Sequence, residues 1–149
     1  MHLIHHRSRT SLAIGLLIFF TSTASRAEAE PPPAAEELSC LLASNCVNSL
    51  DDLTSLPPLE FSGSASKAHA RLMATLAAFP EARIVSDTPL RVETIFTTTV
   101  GFRDTVIFRI DAARQRIDFR SGSNFGLYDF GKNRSRMKDV SLQFAKPAG

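Results

Sequence analysis

Apolar residues recur at helical spacing between Ser64 and Phe79. Ala65, Ala68, Leu72, Leu76 and Phe79 fall on one stripe, which predicts an amphipathic helix over 64–79. Ser62 or Ser64 can cap it, because a serine oxygen accepts the free backbone N–H groups of the first turn. Pro80 ends it by removing a donor. The period then changes from about 3.6 to 2. Strands are predicted over 82–86, 91–99, 105–110 and 116–121, with turns at Asp87-Thr88-Pro89, Gly101 and 111–115. Val106, Phe108 and Ile110 share one face of the third strand. Ile117 and Phe119 share one face of the fourth, with Arg116, Asp118 and Arg120 on the other. Connections this short join antiparallel neighbours. A last helix is predicted over 133–145, with Met137, Val140, Leu142 and Phe144 as buried contacts. The fold class is therefore α+β, an antiparallel β-meander with two helices packed on one face.

The residues before the first helix follow a different pattern. Arg7 and Arg9 precede an apolar run over 11–20, and small residues follow. This is the layout of a secretory signal, with cuts expected before Glu28 or Glu30. A spanning helix needs about 20 apolar residues, and the run has roughly half that number. The expected organisation is a signal peptide over 1–29, a flexible or extended linker over 30–37 and one domain over 38–149. No stable membrane anchor is expected after cleavage, and the expected location is periplasmic or secreted. The thylakoid lumen is the alternative. The domain opens with a loop-rich arm over 38–60, expected to lie over the domain and be pinned by Leu41, Leu42, Val47 and Leu53. The arm holds both cysteines, Cys40 and Cys46. In an oxidising compartment their proximity points to a disulfide. Free thiols and a metal or redox site are the other readings.

From Glu30 onward 14 basic residues face 14 acidic ones, so the mature chain is close to neutral. That balance excludes a general nucleic-acid binder. The charge is unevenly placed, however. The segment 30–60 holds six acidic and no basic residues, whereas 103–138 holds nine basic residues against Asp104, Asp111, Asp118 and Asp129. The basic half can hold an anion or an acidic partner, or it can be covered by the chain's own acidic segment.

Candidate chemistry concentrates in the stretch 120–136, RSGSNFGLYDFGKNRSR. Gly126, Asp129, Gly131 and Asn133 suit a loop that enters a helix. Free N–H groups at a helix start attract anions, and Arg120, Lys132, Arg134 and Arg136 can add charged hydrogen bonds to a carboxylate or phosphate. In the competing reading Asp129 and Asn133 cap the turn, and the arginines pair with Asp104, Asp118 or Glu93. Glu93 and Asp104 lie on adjacent predicted strands and could form an acid–base pair, although pairing with arginines accounts for them more simply. His69 is the only histidine outside the leader, and on a helix face it reads as a satisfied core or rim residue. No metal-binding, phosphate-cradling or dinucleotide motif is present. No metal or cofactor is therefore expected.

Four stretches resemble a bacterial and plastid family known as domain of unknown function family 1499. They are Ser44-Asn45-Cys46-Val47-Asn48-Ser49; Phe79-Pro80 followed by Ala82-Arg83-Ile84-Val85; Phe102 to Asp104 with Val106 and Phe108; and Arg120-Ser121 through Gly126, Asp129, Gly131, Asn133, Arg134 and Arg136. The last is the most specific. The chain departs from the family in having Leu41-Leu42-Ala43 where prolines are usual, Arg103 where a second Asp is frequent, and Asn124 where an Arg is frequent. The resemblance implies the fold and assigns no activity.

The first functional expectation is a non-enzymatic envelope domain that binds an anionic small molecule or an acidic protein surface. A structural or interaction module of an envelope complex is the second. A carboxylate-dependent enzyme using Glu93 or Asp104 is the third.

Overall fold

The computed structural model describes residues 34–50 and 55–147. The expected signal segment over 1–29, the start of the linker, and Leu53 lie outside the described residues. The described elements run α1 (Ala34–Glu37), β1 (Cys46–Asn48), β2 (Leu59–Glu60), α2 (Ala65–Leu76), β3 (Ala82–Thr88), β4 (Arg91–Thr97), β5 (Arg103–Asp111), β6 (Arg116–Ser123) and α3 (Lys132–Ala145).

The sheet is antiparallel throughout, in the order β1-β6-β5-β4-β3, and β2 also pairs with β6. The meander β3 to β6 is the one that the alternating pattern predicts. Val92, Thr94 and Phe96 of β4, Val106, Phe108 and Ile110 of β5, and Ile117 and Phe119 of β6 are buried on one face. Leu72 and Leu76 of α2 and Met137, Val140 and Phe144 of α3 close over that face. Both helices thus bury one stripe each against a shared core.

Local chemistry sets the helix ends. The Ser64 side chain accepts the Lys67 amide. Pro80 disfavours helical backbone in the residue before it, and α2 stops at Leu76, earlier than the predicted Phe79. The turn after β3 comes later than predicted, because Thr88 still pairs with Arg91 and Pro89-Leu90 make the turn. Leu142 does not serve α3 as a buried contact. It is exposed, because the core-facing stripe passes through Met137, Val140 and Phe144.

The arm departs most from expectation. Its segments β1 and β2 extend the sheet along β6, with Val47 opposite Ser121 and Leu59 opposite Ile117. Val47 is buried as expected, whereas Leu41 and Leu42 are exposed and pin nothing. The linker, expected to be flexible or extended, ends in α1. Glu37 there accepts hydrogen bonds from Arg91 Nε at 2.6 Å and Arg109 NH1 at 2.9 Å on the second face of the sheet. Leu38 is fully buried beside it, and its carbonyl accepts the Asn48 amide. The acidic N-terminal segment therefore covers part of the basic half of the chain, one of the two arrangements that the charge distribution allowed.

Cys40 and Cys46 form a disulfide. Opening so small a ring to Cys40→Ser/Cys46→Ser should lower stability by roughly 2 kcal/mol through the entropy of the unfolded chain. A shift in the urea midpoint at unchanged slope is the measurement that checks it.

Candidate functional site

The turn between β6 and α3 is built around one carboxylate. Asp129 accepts hydrogen bonds from the Gly131 and Asn133 amides and from Asn133 Nδ2, all at 2.8–2.9 Å. The donors at the start of α3, which the sequence offered to an outside anion, are thus used by the chain's own Asp129. Gly131 has φ 76° and makes the left-handed entry to the helix.

Asn133 is fully buried and links three elements. Its side-chain oxygen accepts from Ser121 Oγ at 2.6 Å and Arg136 NH1 at 2.8 Å, and its amide donates to the Asn45 carbonyl and to Ser123 Oγ, both at 3.1 Å. Arg136 in turn donates to Asp104 at 2.6 Å. Both side chains of that pair are nearly buried, and the guanidinium lies 4.9 Å from the centroid of the Phe96 ring.

The four basic candidates are therefore not gathered in one place. Arg136 serves Asp104, as the scaffold reading required. Arg120 points to the second face of the sheet, where its Nε donates to the Ser39 carbonyl and burial lowers its pKa. Arg134 is half-buried and already engaged by the protein. Lys132 is exposed at the first position of α3 and makes no ion pair among the described residues. Glu93 and Asp104 do not form a carboxylate pair. Their register puts them on opposite faces of the sheet, with Glu93 held by Arg91 at 2.8 Å. His69 is a rim residue, its Nε2 2.6 Å from Asp87 Oδ1.

What the charge pattern does not reveal is an apolar surface at this end of the sheet. Most of the exposed large apolar side chains of the described residues stand here. Val100 and Phe102 project from the loop between β4 and β5, and Phe125, Leu127, Tyr128 and Phe130 from the loop between β6 and α3. Between the two loops lies a pocket of about 350 Å³, lined mainly by apolar surface, with Lys132 and the carboxylates Asp104 and Asp129 on its wall. Phe130 has φ 53°, a left-handed conformation that costs a bulky residue about 1 kcal/mol or more, yet the residue is 87% exposed. Neither backbone preference nor burial in the core explains that placement. Tyr128 packs edge-on against Phe130 at 5.0 Å. The sequence signal was present as large apolar residues without period inside a Gly/Ser/Asn loop, where solvated side chains are the norm.

A larger depression of about 630 Å³ lies between α2 and α3, and two of its three cations are engaged. Arg71 stacks 4.5 Å over Phe144 and donates to the Lys146 carbonyl, and Lys146 donates to Gln143. Among the described residues no group of acidic, histidine or cysteine side chains is placed to hold a metal.

The geometry offers an apolar pocket with a cation on its wall, held by a rigid polar network beneath. The family model described as "Protein of unknown function (DUF1499)" matches residues 38–144. No curated protein and no solved structure matches the chain.

Proposed function

From the premise that the chain belongs to the DUF1499 family, we propose that it is a non-enzymatic binding domain of the cell envelope for an anionic amphiphile. The apolar part of the ligand enters the pocket between the two loops, and its acidic group meets Lys132. The observation that carries this reading is the pocket itself, in which Val100, Phe102, Phe125 and Phe130 line a cavity with Lys132 on its wall, while its two carboxylates, Asp104 and Asp129, are committed to Arg136 and to the start of α3. Small-molecule sites have this composition, mostly apolar with few polar groups that orient the ligand. The left-handed Phe130 supports the reading, because strain that the core does not require gathers at functional sites. An envelope location is supported by the leader pattern and by the Cys40–Cys46 disulfide, which persists in oxidising compartments.

The chain has no Trp, and Tyr128 is its single Tyr, so tyrosine emission reports on this pocket alone. Titration with laurate below its micellar concentration should perturb that emission saturably and raise the unfolding midpoint. Lys132→Glu should weaken binding about tenfold, and dodecanol should bind more weakly than laurate. Silence of Tyr128 towards laurate would exclude the pocket as an amphiphile site. If a stable protein partner then co-purified, the interaction-module reading would take its place.

A further inference from the structure

Three loops, not two, meet at this end of the sheet. The disulfide-closed loop between Cys40 and Cys46 lies beside the loop between β6 and α3, because Cys46 pairs with Gly122 in the register. Ser44 Oγ donates to the Leu127 carbonyl and Asn45 Nδ2 to the Gly126 carbonyl. The Asp129 amide donates back to Ser44. The β4–β5 loop stands beside them, because the Asn124 amide donates to the carbonyl of Arg103 at the start of β5 and the loop's Val100 and Phe102 line one pocket with Phe125 and Phe130. The loops thus form one tied platform, and apolar tips stand out from each: Leu41 at 91% exposure, Val100 at 77%, and Leu127 at 76%.

We infer that this platform docks on an anionic bilayer surface. The tips stand almost clear of their neighbours. A protein partner would need a separate socket for each, whereas a fluid interface accommodates any protruding side chain. Phe and Tyr beside Lys and Arg is the composition favoured at the boundary between headgroups and acyl chains. The charges select the sign of the surface. Arg103 and Lys132 are exposed, whereas Asp104 is turned inward to Arg136 and Asp129 is consumed by the start of α3. Arg103 and Lys132, at the edges of these loops, supply the exposed positive charge that suits acidic headgroups, while Glu81 and Asp139 line a neighbouring depression that Lys132 also borders. Such docking is peripheral and needs no spanning segment. Among the described residues no helix is long and apolar enough to cross a membrane.

The platform adjoins the pocket proposed above, but Leu41 and Leu127 do not line that pocket. The two sites can therefore fail separately. The test is co-sedimentation of the exported protein with vesicles of phosphatidylcholine alone and of phosphatidylcholine mixed with phosphatidylglycerol. Wild type should bind the phosphatidylglycerol vesicles and should release them in high salt. Leu41→Ser/Leu127→Ser should reduce partitioning at least tenfold, while its laurate titration at Tyr128 stays as in wild type. Arg103→Gln should weaken binding several-fold and only to the anionic vesicles. A retained leader would drive every variant onto both vesicle types, so the variants are compared in a preparation that phosphatidylcholine alone does not sediment. Failure of wild type to sediment with phosphatidylglycerol vesicles, or sedimentation of the double variant as strongly as wild type, would overturn docking whatever the laurate result.

Discussion

Asp104→Ala should lower the stability of this protein by about 3–5 kcal/mol, because it leaves the Arg136 guanidinium buried without its counter-ion. Asp104 is 3% exposed, and the Arg136 side chain, 10% exposed, is held in place by Asn133 and the Phe96 ring. The loss follows from abandoning one charge in a poorly solvating environment, not from the strength of the pair. Removing both charges should therefore do less harm than removing one. Asp104→Leu/Arg136→Met should recover much of the loss, since apolar side chains can fill the same space without a desolvated charge. Urea unfolding of the two single variants and the double variant forms the cycle that measures the coupling. Strictly additive losses would show that the two side chains act independently and would contradict the buried pair.

Asn133→Leu should have the next largest effect, about 3 kcal/mol or more. Leucine keeps the branched shape of asparagine in a larger volume but offers none of its donors or acceptors. The Asn45 carbonyl, Ser121 Oγ, Ser123 Oγ and one arm of Arg136 would each lose a partner, and an unsatisfied buried polar group costs about 1–3 kcal/mol. The effect should also be local. Asn133 connects the disulfide loop to the start of α3, so the loops around the pocket should loosen before the sheet does. Hydrogen exchange would show this as lost protection at the Gly131 and Asn133 amides, which Asp129 now accepts. Unchanged protection there would mean that Asp129 alone holds the turn.

The amino-acid sequence by itself determined the core of this fold. Alternation in β4, β5 and β6, the stripe of α2, the Ser64 cap and Pro80 are local signals. Each reports which face of an element meets the core, whatever lies on the other side. The proximity of Cys40 and Cys46 pointed to their bond without excluding free thiols or a metal site, and the structure forms it.

Only the tertiary structure decided what the polar residues do. Arg120 and Arg136 lie in one basic stretch, yet the sheet separates them, because residues an even number apart share a face only while the strand continues, and α3 returns to the opposite side. Glu37 joins Arg91 and Arg109 across a separation that no periodicity encodes. The arm's strands β1 and β2 are too short to show alternation and exist through pairing with β6. The apolar end of the sheet was illegible for the same reason. The sequence expects Leu41 to pin the arm, and Val100 and Phe130 belong to no period, so only the register of β1, β6, β5 and β4 brings their loops to one end. Burial is a property of single positions and leaves a period in the sequence. A binding surface is a property of distances between remote positions, which the fold alone sets.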